Sequence, residues 1–215
     1  MSGAWPLLGI VSPGPGWEMR RVGDLVDLTN GFPFDSERFG PEGTLPLVRI
    51  RDLFLDGFST YVKGSIPDQV VLRDGDIVIG MDGDFELAVW QRGPAALNQR
   101  MCLLRPRAGV DARFVAYALP RHLHVLNDLT YATTVKHLSS FDILSERMLC
   151  PPVAVQRGVA DYLDAETARI DNLVASLGGG PSSAQASLCG LLLERRQALI
   201  TAAVTGQLEI PEVAA

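Results

Sequence analysis

Apolar and polar positions change rhythm once along the chain, near residue 150. Between residues 17 and 150 the apolar runs are short and are separated by Gly, Pro, Asp and Ser, which predicts strands and turns. "LPLVRIRDL" at 45–53 sets Leu45, Leu47, Val48 and Ile50 against Arg49 and Arg51, the pattern of a half-buried strand with its arginines on the open face. "GDIVIGMDGDFELAVW" at 75–90 predicts two strands joined by a Gly/Asp turn at 81–84. "RMCLLRP" predicts another strand, stopped by Pro106. In "DARFVAYALPRHLHVLNDL" the spacing turns helical, through Phe114, Val115, Ala118, Leu123 and Leu126, and Pro120 is expected to kink or divide the helix. Ser139 and Asp142 form a capping pair that opens a short helical turn, "SFDILSE".

After Pro151 and Pro152 the period becomes helical throughout. Val159, Leu163, Ile170, Val174 and Leu177 recur at close to heptad steps over 153–177, with charges on the opposite side, so a helical partner is expected. "GGGPSS" at 178–183 interrupts this pattern. A second helix is predicted from about 188 to 205, with Leu192 and Leu199 on its apolar side and Gly206 as its C-cap. Spacing alone allows the two helices to pair antiparallel or to extend end to end. The expected class is α+β, a mixed strand-rich domain followed by amphipathic, coiled-coil-like helices. The expected segments are a mobile leader at 1–16, the strand-rich domain at 17–150, the helical part at 151–210 and a tail at 211–215.

Charge narrows the function. The chain carries 19 basic and 25 acidic residues, net −6, and neither part has a basic excess, which counts against gripping nucleic acid by bulk electrostatics. Two lysines, Lys63 and Lys136, stand beside 17 arginines, whose rigid fork suits guanine edges and phosphates, although a genomic base bias gives the same skew. Cys102, Cys150 and Cys189 are far apart and odd in number, as expected for reduced thiols in a cytoplasmic protein. No apolar run has membrane-spanning length, and the start does not read as a signal peptide.

Catalytic motifs leave little trace. Asp82, Asp84 and Glu86 alternate in "MDGDFE" and have the oxygen chemistry for Mg²⁺ or Ca²⁺, but an acidic hairpin turn explains them equally. No lysine stands two residues beyond an acidic residue, as a common metal nuclease requires. His122 and His124 have no further His or Cys at zinc spacing and fit the polar side of a helix. Nucleotide-binding glycine loops and a serine elbow are missing. No catalytic residue, metal ligand or cofactor is assigned.

Several stretches in series carry a resemblance: "GFPFDSERF", "LPLVRIRDL", "GDIVIGMDGDF", "NQRMCLL", "TTVKHLSSFDI", "PPVAVQRGVADYLDAETARID" and "ERRQALITAAVTGQLEI". Together they cover roughly residues 17–210, and the chain resembles the DNA-specificity subunit of type I restriction–modification systems. The resemblance implies a non-catalytic target-recognition domain that reads one half of a split double-stranded DNA site. It implies helices that space the domains and dock methyltransferase (modification) subunits, and through them a restriction subunit. DNA-contact candidates are then Arg49 and Arg51, Asn98, Gln99 and Arg100, and Thr133, Thr134, Lys136 and His137, whose side chains suit bases or phosphates. Each also has a structural explanation, as a turn, cap or interdomain brace. Phe32 and Phe34 are expected to pack as core. Val159, Leu163, Ile170, Val174, Leu177, Leu192 and Leu199 become candidates for the partner-helix interface.

Two departures from the family pattern bear on assembly. The usual subunit has two recognition domains and two helical segments, whereas this chain has one of each. It is therefore either a fragment or a half-size subunit that pairs with itself or with another half; a homodimer reads a palindromic split site. The second departure is "GGGPSSAQAS", which breaks the expected spacer helix. Two other classes remain open: an adaptor of another defence system that keeps the recognition fold, and a metal-dependent nuclease built on Asp82, Asp84 and Glu86.

Overall fold

The computed structural model describes residues 14–130, 137–177 and 183–210. Thr133, Thr134 and Lys136, and most of the expected leader, lie outside the described residues. The chain divides into two compact units, Met19–Met148 and a second made of Met1–Glu18 with Leu149–Ala215. Strands and helices follow in the order β1 (Glu18–Arg21), α1 (Val22–Leu25), β2 (Val26–Asn30), β3 (Phe39–Gly40), β4 (Leu45–Val48), β5 (Tyr61–Val62) and β6 (Val71–Leu72). Then come β7 (Ile77–Gly80), β8 (Leu87–Val89), β9 (Ala95–Leu97), β10 (Met101–Pro106), α2 (Ala112–Ala118), α3 (Pro120–Thr130), α4 (Ser140–Ser145), β11 (Arg147–Cys150), α5 (Val153–Leu177) and α6 (Ser183–Val204).

The strand-rich unit is built on two sheets. One runs β2-β10-β7-β8, and the other β3-β5-β4-β9-β6, in which β4 and β9 are parallel. The short strands β1 and β11 pair as a ribbon. β7 is buried along its whole length and β10 over its first four residues, which explains their unbroken apolar runs. Leu47, Val48, Val78, Trp90, Leu97, Met101 and Leu103 make the core, with Phe34 buried in it and Phe32 packed against it as expected.

Three polar devices fix this core. Asp76, immediately before β7, takes Arg105 of β10 in a two-pronged bond, Nε to Oδ1 and Nη2 to Oδ2, both 2.8 Å. It also accepts the Arg73 amide at 2.9 Å. Arg92 lies over Trp90 (4.2 Å) and Phe58 (4.9 Å) and donates to the Asp52 and Leu53 carbonyls, each at 3.1 Å. Asp111 caps α2 by accepting from the Arg113 and Phe114 amides. Pro120 divides α2 from α3, since its ring cannot continue the first helix.

The strand predicted over 45–53 is shorter than its pattern. β4 ends at Val48, and Ile50–Asp52 form a 3-10 turn. The cause is a side chain: the Asp52 carboxylate, 3% exposed, accepts the Arg49 amide at 3.2 Å and Arg49 Nε at 2.7 Å. This local bond competes with the ladder and curls the chain. Arg49 therefore does not stand on an open strand face.

In α3, His122 Nδ1 lies 3.1 Å from Glu146 Oε2. Burial pushes this imidazole below its ordinary 6.5, and the Arg121 charge adds to the push, against the opposing pull of Glu146. Folding then favours the neutral ring, whereas the unfolded chain takes up a proton at about pH 6.5, so stability is lost as pH falls through that value and on through the lower folded one. Thermal melts are expected to show His122→Gln losing less stability than wild type between about pH 7 and about pH 5. Parallel acid profiles for the two chains would contradict it.

In the second unit α5 and α6 lie side by side. Residues 178–182 reach at most about 18 Å, well short of the length of a 25-residue helix at roughly 37 Å, so side-by-side packing requires an antiparallel hairpin. Asp171 pairs with Arg196 across it at 3.1 Å, and Gln185 Nε2 donates to the last α5 carbonyl, Leu177, at 3.3 Å. This second bond satisfies an orphan acceptor beside the start of α6, which begins several residues before its predicted start. Gly206 ends α6 at φ 69°, and the Gln207 amide returns to the Ala202 carbonyl at 2.9 Å.

Candidate functional site

Sheet register gathers the candidate residues. Asn30, at the end of β2, is paired with Cys102, and Gly80, at the end of β7, with Met101, so both strands finish beside the start of β10. The parallel pair β4/β9 sets Val48 next to Leu97, which brings residues 49–51 to the same edge; the Ile50 side chain lies over Gly80. Loops 31–34, 49–52, 81–86 and 98–100 therefore converge, and Leu138 joins them by donating its amide to the Met81 carbonyl at 2.8 Å.

These loops are braced through their backbones. The Met81 amide donates to the Arg100 carbonyl (3.0 Å), Gly31 to Met101 (2.8 Å) and Phe32 to Leu97 (2.9 Å). Met81, Phe85 and Leu138 are buried, so the 81–86 loop and the segment at 138 are pinned by apolar side chains while Asp84, Glu86 and His137 are exposed. Phe85 holds φ 53°, a left-handed conformation unfavourable for a bulky residue and maintained by burial of its ring.

Asp82 is the hub of this edge. Its Oδ2 accepts from Arg100 Nη1 at 2.6 Å, and its Oδ1 accepts from His137 Nδ1 at 2.8 Å. Burial alone raises the Asp82 carboxyl, but the hydrogen bonds from His137 and Arg100 outweigh it and hold the group below its ordinary value. Arg100 is 64% and His137 57% exposed against 22% for Asp82, so the carboxylate sits beneath two side chains that face solvent. An ion pair this exposed adds little to stability. Its effect is to fix orientation; among the described residues the Nη2–Nε edge of Arg100 and the far nitrogen of His137 have no partner.

The remaining candidates differ in availability. Arg49 is committed to Asp52 and to Thr60 Oγ1 (2.9 Å). Arg51 and Gln99 are exposed. Asn98 closes the turn into β10, its carbonyl accepting the Met101 amide at 3.0 Å and its side chain the Arg100 amide at 3.4 Å. Both oxygens of Asp82 are occupied by cationic or N–H donors, and Glu86 points to solvent, so "MDGDFE" builds a brace for Arg100. Among the described residues no three His, Cys, Asp or Glu side chains gather in a metal-binding arrangement. Sequence reasoning missed Asp82 as a positioning residue, because its relation to Arg100 depends on the β7/β10 register.

On the helical hairpin, Val159, Leu163 and Ile170 are buried within the single chain, and Val174, Leu177, Leu192 and Leu199 are half-buried. Among the described residues of the two helices, the large apolar side chains that remain exposed are Leu173, Leu188, Leu191 and Leu193, none of them among the heptad positions. Among the described residues no helix is long and apolar enough to cross a membrane.

The strand-rich unit and the long helices of this chain have the fold found in solved chains of type I restriction–modification S subunits. The chain superposes on the HsdS subunit of Thermoanaerobacter tengcongensis with a TM-score of 0.61 and 24% identity, over 94% of its length and 48% of that chain. A solved chain from work on complex assembly and conformational transition of the type I R-M system gives 0.63 and 25%, over 94% and 49%. The model of the type I restriction modification DNA specificity domain matches residues 15–174, and the chain belongs to that family. It is 37% identical over 202 residues to the type I restriction enzyme EcoBI specificity subunit of Escherichia coli, covering 93% of this chain and 41% of that protein. It is 24% identical to the EcoKI specificity subunit of Escherichia coli strain K12, over 90% and 43%. The chain thus spans less than half the length of the curated relatives it matches.

Proposed function

We propose that this chain is a DNA-reading specificity module of a type I restriction–modification complex, without chemistry of its own. Its strand-rich unit reads one half of a split target through the loop edge around Arg100, Asp82 and His137. Arg51, Gln99, Thr133, Thr134 and Lys136 supply further phosphate or base contacts, and Arg49 serves the turn. The helical part, 151–210, docks a methyltransferase subunit, through which a restriction subunit joins, and it pairs with a second copy or another half. Leu173, Leu188, Leu191 and Leu193 are its open apolar contacts. Work inside the cytoplasm suits both this role and three cysteines that form no disulfide.

The observation that carries this reading is the Asp82-braced pair Arg100 and His137, held outward on rigid loops within a DNA specificity family. With a net charge of −6, the chain has little to hold phosphates by itself, so the methyltransferase subunits supply most of the grip on the duplex. The purified chain is expected to bind duplex DNA weakly and to gain affinity when its partner is added. Mapping methylated bases in a host carrying the chain with its cognate methyltransferase tests the whole reading: one recurrent split motif is expected. Random methylation, or nanomolar sequence-specific binding by the chain alone, would contradict it.

A further inference from the structure

We propose that Arg100 reads a guanine in the target half-site and that Asp82 is the positioning residue that makes it selective. This inference rests on the DNA-reading role proposed above and adds the base and the residue that fixes it.

The argument starts from the donors that remain. Asp82 takes Nη1 of Arg100, and among the described residues Nη2 and Nε have no partner. That leaves one planar edge with two parallel donors, 64% exposed at the tip of a loop whose backbone is tied to Met81 and Asn98. In the major groove only guanine offers two acceptors side by side, O6 and N7. Adenine sets an amino group beside its N7, cytosine presents an amino group, and thymine has one acceptor beside a methyl. Each leaves a donor of the fork unmatched or facing another donor.

Asp82 contributes orientation. An unbraced arginine swivels about its long stem and meets phosphates as readily as bases, whereas one tethered through Nη1 presents only its Nη2–Nε edge. His137 completes the clamp by donating to the second carboxylate oxygen, so Asp82 cannot rotate to cover that edge. The carboxylate is largely screened from the duplex by its two partners, which limits its repulsion of phosphates.

The test compares methylation motifs of wild type, Arg100→Ala and Asp82→Asn, each expressed with the cognate methyltransferase, with soluble yield and partner co-purification measured alongside. Wild type is expected to require a G·C pair at one position. Arg100→Ala is expected to lose about 5- to 100-fold of the preference there while every other position stays specified. Asp82→Asn, which keeps the size but loses the charge and one acceptor, should relax the same position to a smaller extent. A residue with a merely structural role would lower modification at all positions together. The proposal is overturned if Arg100→Ala keeps the wild-type motif, if it relaxes an A·T pair, or if a folded, partner-bound variant loses methylation uniformly. Relaxation by Arg100→Ala without relaxation by Asp82→Asn would remove the positioning role. A wild-type chain that directs no motif at all refutes the DNA-reading role itself, an outcome distinct from the others.

Discussion

Replacing Asp76 by alanine is expected to destabilise the strand-rich unit by about 3 kcal/mol, a large fraction of what holds a domain of this size together. The carboxylate is 7% exposed and receives three hydrogen bonds, two from the Arg105 guanidinium and one from the Arg73 amide. The Asp76 hydrogen bonds stabilise the charged guanidinium further, against the opposing effect of burial. Removing the acid strands a cation between β7 and β10, the two strands at the centre of the sheet. Breaking a fully buried pair costs about 3–5 kcal/mol, and the lower end applies because Arg105 keeps 34% of its side chain in water. A thermal midpoint roughly 10 °C below wild type is the expected reading. Asp76→Asn retains one acceptor and should fall between the two. Removing Arg105 as well, as Asp76→Ala with Arg105→Leu, should recover part of the loss, because the stranded charge is gone. An Asp76→Ala chain that melts with wild type would show that this bond carries no weight.

What the sequence discloses divides by range of interaction. Helices and caps depend on neighbours within a turn or two, so α5 was predictable to its ends, and Pro120, the Ser139/Asp142 cap and Gly206 mark the boundaries they were expected to mark. The β7/β8 hairpin was legible for the same reason, its turn residues lying between its own strands. The strand at 45–53 misled because alternation was counted while the reach of Asp52 back to Arg49 was not. Arg100 and His137 were identifiable as candidates by residue type, but their convergence on Asp82 was not, since it joins three segments far apart in the chain. In the helices Val159, Leu163 and Ile170 are buried within the single chain, and the open leucines Leu173, Leu188, Leu191 and Leu193 emerged only when burial was known.

Gly31→Ala is expected to be the substitution that couples stability to reading. The close approach decides this: a Cβ at Gly31 would stand 1.9 Å from the Asn98 carbonyl oxygen and 2.4 Å from its carbon. The struck atoms are backbone, so no side chain can swing aside. Either β2 or the 98–100 loop must move, and both are tied down, by the Gly31 amide on the Met101 carbonyl and the Phe32 amide on the Leu97 carbonyl. Overpacking of this kind costs about 3 kcal/mol. Where the 98–100 loop is the part that gives way it carries Arg100 with it, so the distance from Arg100 to Asp82 should then open and target discrimination should fall even at temperatures where the chain stays folded. Gly57→Ala serves as the control, because an added methyl there meets nothing within 4 Å and should change stability by less than about 0.5 kcal/mol. Melting curves and methylation motifs of the two variants check both parts. Gly31→Ala with an unchanged motif would mean that the loop relaxes without moving Arg100, and that the rigidity of this edge is not what selects the base.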